Sequence, residues 1–103
     1  MGLDIYIDKC RKPKIVNGER EYEEREEMCY WRKFRGLLDV MGYTDDDEDV
    51  RMTKEDVERI LNYVVHNRDY WGGFKNVAQV CELLDQWDDL EEDGWIVVFY
   101  ASW

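Results

Sequence analysis

The closing stretch WIVVFYASW constrains the fold more than any other part of the chain. Drawn as a strand, it sends Trp95, Val97, Phe99, Ala101 and Trp103 to one side and Ile96, Val98 and Tyr100 to the other, because successive strand residues alternate faces. Apolar side chains on both sides are the mark of a central strand. A second strand is legible at the opposite end. Residues 3–8 alternate, with Leu3, Ile5 and Ile7 facing one way and Asp4, Tyr6 and Asp8 the other, the pattern of a half-buried strand. These two segments are expected to pair at the middle of a sheet whose one face is covered by helices. The other face then presents Tyr6 and Tyr100, partly exposed, as a candidate contact surface.

The intervening chain supplies the rest. In KIVNGEREY, Asn17-Gly18 suits a type I′ turn, and its charged flanks suit a hairpin at a sheet edge, where charge discourages stray pairing. From Met28 the apolar residues Tyr30, Trp31, Phe34, Leu38 and Met41 recur at three- and four-residue spacing, which predicts a helix ending near Gly42. Thr53 with Asp56 forms a start signal of the capping-box type, followed by the stripe Val57, Ile60, Leu61, Val64 and Val65. Phe74, Val77, Val80, Cys81, Leu84 and Trp87 predict a third helix, stopped at about Gly94. Its last turn is acidic, which opposes the helix dipole and predicts fraying after Asp89. At 103 residues the chain is expected to be one domain, residues 1–103. The class is α+β: a small antiparallel sheet of N-terminal strand, edge hairpin and central C-terminal strand, packed by three helices.

Charge is distributed unevenly. Residues 1–36 hold nine Lys/Arg against eight Asp/Glu, whereas residues 37–103 hold five against seventeen, nets of +1 and −12. The acids gather in two runs: Asp45, Asp46, Asp47, Glu48 and Asp49, then Asp85, Asp88, Asp89, Glu91, Glu92 and Asp93. Such a field repels nucleic acid and attracts basic protein surfaces or cations. Asp45, Asp47, Asp49 and Asp56 follow the 1-3-5-12 spacing of a calcium loop, with Met52 at the apolar eighth position. Val50, however, stands where the turn needs Gly, and Asp56 is shorter than the usual bidentate Glu. A solvated acidic turn is the expectation there, with weak divalent-cation binding as an alternative, and no metal site is assigned.

Catalytic chemistry has little to work with. His66 and Ser102 are the sole histidine and serine, so a Ser-His-Asp site would need both. His66 reads as a surface or capping residue at a helix end. Cys10, Cys29 and Cys81 form no CxxC pair and read as reduced, buried small hydrophobes. No GxxxxGK or GxGxxG occurs, so no nucleotide cofactor is implied. The chain is read as a non-enzyme without cofactors. MGLDIY lacks the basic and apolar regions of a signal peptide, and no stretch approaches a membrane span; a soluble, cytoplasmic protein is expected. Tyr30-Trp31-Arg32-Lys33 mixes rings with cations, as single-strand nucleic-acid binders do, but Glu23, Glu24, Glu26 and Glu27 lie just upstream. Tyr30 and Trp31 are therefore expected in the core, with Arg32 and Lys33 paired to nearby acids.

Three short motifs, MGLDIYI at the start, E-x-x-Y-W-R-K at Glu27 to Lys33 and YASW at the end, occur in the order in which a family of small phage and prophage proteins carries them. The chain resembles that family, whose members begin MGLD-[IM]-Y, carry a YWRK helix and finish in an aromatic strand ending Ser-Trp, here Ser102-Trp103. It departs from the family at residues 34–41, which are more aliphatic. The resemblance implies a phage accessory protein acting in a bacterial cytoplasm, and brings no catalytic residues with it. Within that context the acidic runs fit a protein that occupies the basic, nucleic-acid-binding surface of a host protein, as a counter-defence inhibitor of the anti-CRISPR type does. The competing reading is a homodimeric structural or regulatory module acting through the aromatic sheet face.

Overall fold

The computed structural model describes residues 2–44, 48–67 and 73–103, with the side chains of 73–75 excepted. The element order is β1 (Asp4–Val16), β2 (Glu19–Arg32), α1 (Gly36–Met41), β3 (Asp49–Met52), α2 (Lys54–His66), α3 (Gly73–Asp85), α4 (Trp87–Glu92) and β4 (Ile96–Ser102). The strands form one antiparallel sheet in the order β2-β1-β4-β3. With four helices beside it, this is a small α+β fold, as the patterning predicts. The first and last strands do pair at the centre, Ile5 opposite Ala101 and Ile7 opposite Phe99.

The helices pack on one face only. Ile5, Ile7, Trp31, Phe99 and Ala101 from the strands join Leu37, Val57, Ile60, Val64, Val80, Leu83 and Trp87 from the helices in one core cluster. Tyr6, Tyr30 and Tyr100 are outside it. The molecule is 19 Å through its thinnest dimension, about the depth of one sheet and one helix layer. On the helix-free side Cys10 and Val98 are nonetheless buried, where Arg20 and Tyr22 of β2 share a pocket with Ile96 and Val98.

Several elements differ from expectation. The strand at residues 3–8 and the following hairpin are one long ribbon: β1 runs unbroken to Val16, and Asn17 (φ 52°) and Gly18 (φ 82°) turn it back into β2. Both turn residues have the positive φ that type I′ requires. Beyond Cys10 opposite Ile96, β1 has no β4 partner, so residues 11–16 and 19–24 form a two-stranded arm. It is braced by Arg11–Glu24 and Lys12–Glu24 ion pairs.

The largest correction concerns Tyr30, Trp31, Arg32 and Lys33. The first three are the end of strand β2, not a helix, and Lys33 turns away at φ 62° while its N–H donates to the Leu3 carbonyl at 2.8 Å. Alternation decides it: Cys29 and Trp31 are buried while Tyr30 and Arg32 are exposed. Cys29 and Trp31 face Ile7 and Ile5 across the ladder, an apolar cross-strand set that a helix would forfeit. Trp31 thus enters the core as expected, but Tyr30 does not. Helix α1 starts only at Gly36 and ends at Gly42, whose left-handed φ of 62° lets its N–H reach the Asp39 carbonyl and the Tyr43 N–H reach Leu38.

Helix α2 begins as predicted, with Thr53 Oγ1 accepting from the Asp56 N–H at 3.1 Å and Asp56 Oδ2 from the Thr53 N–H at 2.9 Å. The third helix is two. It breaks at Gln86, and the core face is Val80, Leu83, Trp87 and Leu90, leaving Cys81 exposed instead of buried. The restart also reverses the dipole argument. Asp88 and Asp89 occupy the first turn of α4, where a negative charge is favourable, and the helix continues past Asp89 to Glu92.

Candidate functional site

The helix-free sheet face is built by alternation. With Ile5 and Ile7 in the core, Asp4, Tyr6 and Asp8 of β1 take the opposite face, Asp4 and Tyr6 half-buried and Asp8 buried. A bulge where Ile7 faces Cys29 but Asp8 faces Glu27 resets the register of β2 without losing this face. Tyr6 lies directly opposite Tyr30 on one side and Tyr100 on the other. The three rings form a row across β2, β1 and β4, with centroids 5.1 Å and 6.0 Å apart and planes tilted by 39° and 41°. Tyr30 Oη donates to Asp4 Oδ1 at 2.6 Å, and this bond, with burial and the Asp4 charge behind it, pushes the phenol up to about 12.

Beside the row sits an ion triad. Arg25 Nε donates to Asp8 Oδ2 at 2.7 Å, and Nη1 and Nη2 grip both oxygens of Asp49 at 3.0 Å each. The guanidinium lies 5.6 Å from the Tyr100 ring centroid. Burial raises the Asp8 pKa despite the opposing pull of Arg25, and the two carboxylates hold Arg25 firmly protonated. Tyr6, Asp8, Arg25, Asp49 and Tyr100 line a shallow depression of about 450 Å³.

A further tyrosine shapes the sheet margin. The Tyr43 hydroxyl accepts from the Glu48 N–H at 2.8 Å and the Ala101 N–H at 3.2 Å, and shares its proton between the Glu48 carbonyl (2.5 Å) and the Ala101 carbonyl (3.1 Å). Its ring meets Phe99 and Trp103 edge-on at 5.5 Å and 6.0 Å. Trp103, named above through the YASW motif, therefore helps to hold the chain next to the acidic run.

Of the first acidic run, Asp45, Asp46 and Asp47 lie outside the described residues. Glu48 is exposed, with its backbone held by Tyr43. Asp49 is not in a loop but opens strand β3, and its carboxylate is committed to Arg25. Asp56, the twelfth position of the calcium pattern, is the cap of α2 and is also paired to Arg59. Two of the four candidate ligands thus have protein partners, and among the described residues no group of three metal-binding side chains gathers.

The second run behaves differently. Asp85, Asp88, Asp89, Glu92 and Asp93 are exposed on the α3–α4 corner, and none is ion-paired to a described cation. Glu91 accepts from Trp87 Nε1 at 3.0 Å. On the strands, Asp8, Glu24, Glu26 and Asp49 each meet a Lys or Arg, whereas Asp4, Glu19, Glu21, Glu23 and Glu27 are not ion-paired to a described cation.

His66 Nδ1 is 2.7 Å from the Asn62 carbonyl in the last turn of α2, and Ser102 faces Asp4 in the β1–β4 ladder. Burial pushes the Cys10 thiol up to about 11 and Cys29 up to about 12, so both stay protonated at neutral pH. Arg25 and Tyr43 went unread in the sequence. Arg25 sits in a run of glutamates, and its acid partners Asp8 and Asp49 belong to two other strands. Tyr43 had one local signal, an aromatic just past a helix-ending glycine. Compared with protein families, curated proteins and solved structures, the chain matches none. No described helix is long and apolar enough to cross a membrane.

Proposed function

We propose that this chain is a small acidic accessory protein of the phage type that binds a host protein in the bacterial cytoplasm. It lays Asp85, Asp88, Asp89, Glu92 and Asp93 against a basic, nucleic-acid-binding surface, as a counter-defence inhibitor does. One observation carries the reading: these five carboxylates stand together on one corner, exposed and with no cationic partner among the described residues. Paired charges largely cancel at a distance. Unpaired ones add to the −11 net charge and steer a basic groove from beyond contact range. The phage context comes from the resemblance carried by the terminal and YWRK motifs, and within it the charge supplies the kind of partner and, through it, the inhibitor role.

The experiment is affinity capture from a bacterial lysate at about 50 mM and about 500 mM salt, where screening lengths differ about threefold. A nucleic-acid-binding partner retained at low salt, released at high salt and displaced by nucleic acid is the expected result. The quadruple variant Asp88→Asn/Asp89→Asn/Glu92→Gln/Asp93→Asn should lose it. Capture indifferent to both salt and the variant overturns the reading.

A further inference from the structure

We propose that the partly exposed tyrosine row on the helix-free sheet face seats an arginine side chain, its guanidinium resting on the Tyr6 ring between Asp4 and Glu27. The inference rests on the reading of the partner as a basic protein and adds a second point of contact, on a different face from the acidic corner.

Three observations lead there. The face already holds one guanidinium by the chemistry invoked: Arg25 lies over Tyr100 with its fork on Asp49 and its Nε on Asp8. Tyr6 is the next ring in the row, 6.0 Å from Tyr100, and it is partly exposed. The charges acting on the Tyr6 phenol are carboxylates, those of Asp4, Glu27 and Asp8, which together with burial raise its pKa. A ring face is negative at its centre, so carboxylates around it deepen the attraction for a cation. Arg25 is neutralised by Asp8 and Asp49, so the attraction for a further cation falls to Asp4 and Glu27.

The chemistry also selects among occupants. Guanidinium is planar and weakly hydrated, and it stacks on rings while its edge donates to carboxylates, which a compact, strongly hydrated ammonium cannot do as well. A nucleobase would stack on tyrosine too, but its phosphates would meet the carboxylates. A second copy of the chain would bring another −11 of charge to the same face.

Titration with hexa-arginine and hexa-lysine peptides tests this, reading affinity by calorimetry and the tyrosine ring resonances by NMR. Arginine should bind about three- to fivefold tighter than lysine. The Tyr6 and Tyr100 ring signals should shift, and Tyr6→Leu should remove the preference while Tyr6→Phe keeps it. The ring shifts are read on the unmutated chain, so a poorly folded Tyr6→Leu does not block the test. Unmoved rings with binding lost in the Asp88/Asp89/Glu92/Asp93 variant would overturn this inference and leave the acidic-corner reading standing. Shifted rings with binding indifferent to that variant would do the reverse. A dimer by light scattering whose interface covers Tyr6 would also overturn it.

Discussion

At the scale of single residues, Tyr43 concentrates more structure in one atom than any other side chain described. A hydroxyl has one proton to give and two lone pairs to receive with, and Tyr43 uses all of them on the backbones of Glu48 and Ala101. Tyr43→Phe keeps the ring against Phe99 and Trp103 and deletes only those bonds. Two N–H groups then lose their acceptor, one of them in a buried setting, and a buried unmet polar group costs about 1–3 kcal/mol. Denaturant unfolding should report a loss of about 2–3 kcal/mol for this one-atom change. A loss below half a kilocalorie would mean that solvent satisfies the same groups.

At the scale of elements, the capping box of α2 offers a pH-resolved prediction. Burial pushes the Asp56 carboxyl up, but its bond from the Thr53 N–H and its pairing with Arg59 outweigh that, and the net shift is downward from 3.8. An acid whose folded pKa is depressed stabilises the fold above its unfolded value and loses that contribution as pH falls through the folded one. Thr53→Ala should cost about 1 kcal/mol at neutral pH, and the penalty of Asp56→Asn should shrink as pH drops below 3.8. Unfolding curves of both variants at pH 7 and about pH 3 check the sign. This helix was legible because every signal for it is local. Its cap and its stripe of Val57, Ile60 and Val64 lie within one short stretch. The two end strands were legible for the same reason. Residues 28–34 were not, because Tyr30, Trp31 and Phe34 satisfy a helical spacing while Cys29 and Trp31 satisfy a strand spacing. What decides between them is Ile5 and Ile7, more than twenty residues away along the chain. Strand β3, four residues long, is too short to show a period. The aromatic face was half legible: Tyr6 and Tyr100 follow from alternation, but Tyr30 and Arg25 reach it only through a register that the long hairpin sets.

At the scale of the whole molecule, a net charge of −11 on 103 residues works against compactness, since like charges are closer in the folded chain than in the unfolded one. The melting temperature should rise between about 10 mM and about 150 mM sodium chloride as the screening length shortens, and differential scanning fluorimetry across that range reads it. A flat or falling profile would show that the ion pairs of the sheet outweigh the unpaired acids. The same thin, one-sided architecture leaves two strand edges to solvent, and they are protected unequally. The β2 edge is lined with glutamates. On the other side β3 covers only Val97 to Tyr100 of β4, and the next residue, Ala101, finds its partner in the Tyr43 hydroxyl. The hydroxyl stands between Ala101 and Glu48, the residue that would face it were β3 one longer. Without it, the backbone of the most apolar strand would offer an unclaimed docking point to any passing extended chain. The phenol is thus a guard against aggregation as much as a fastener, and variants lacking it should be handled dilute.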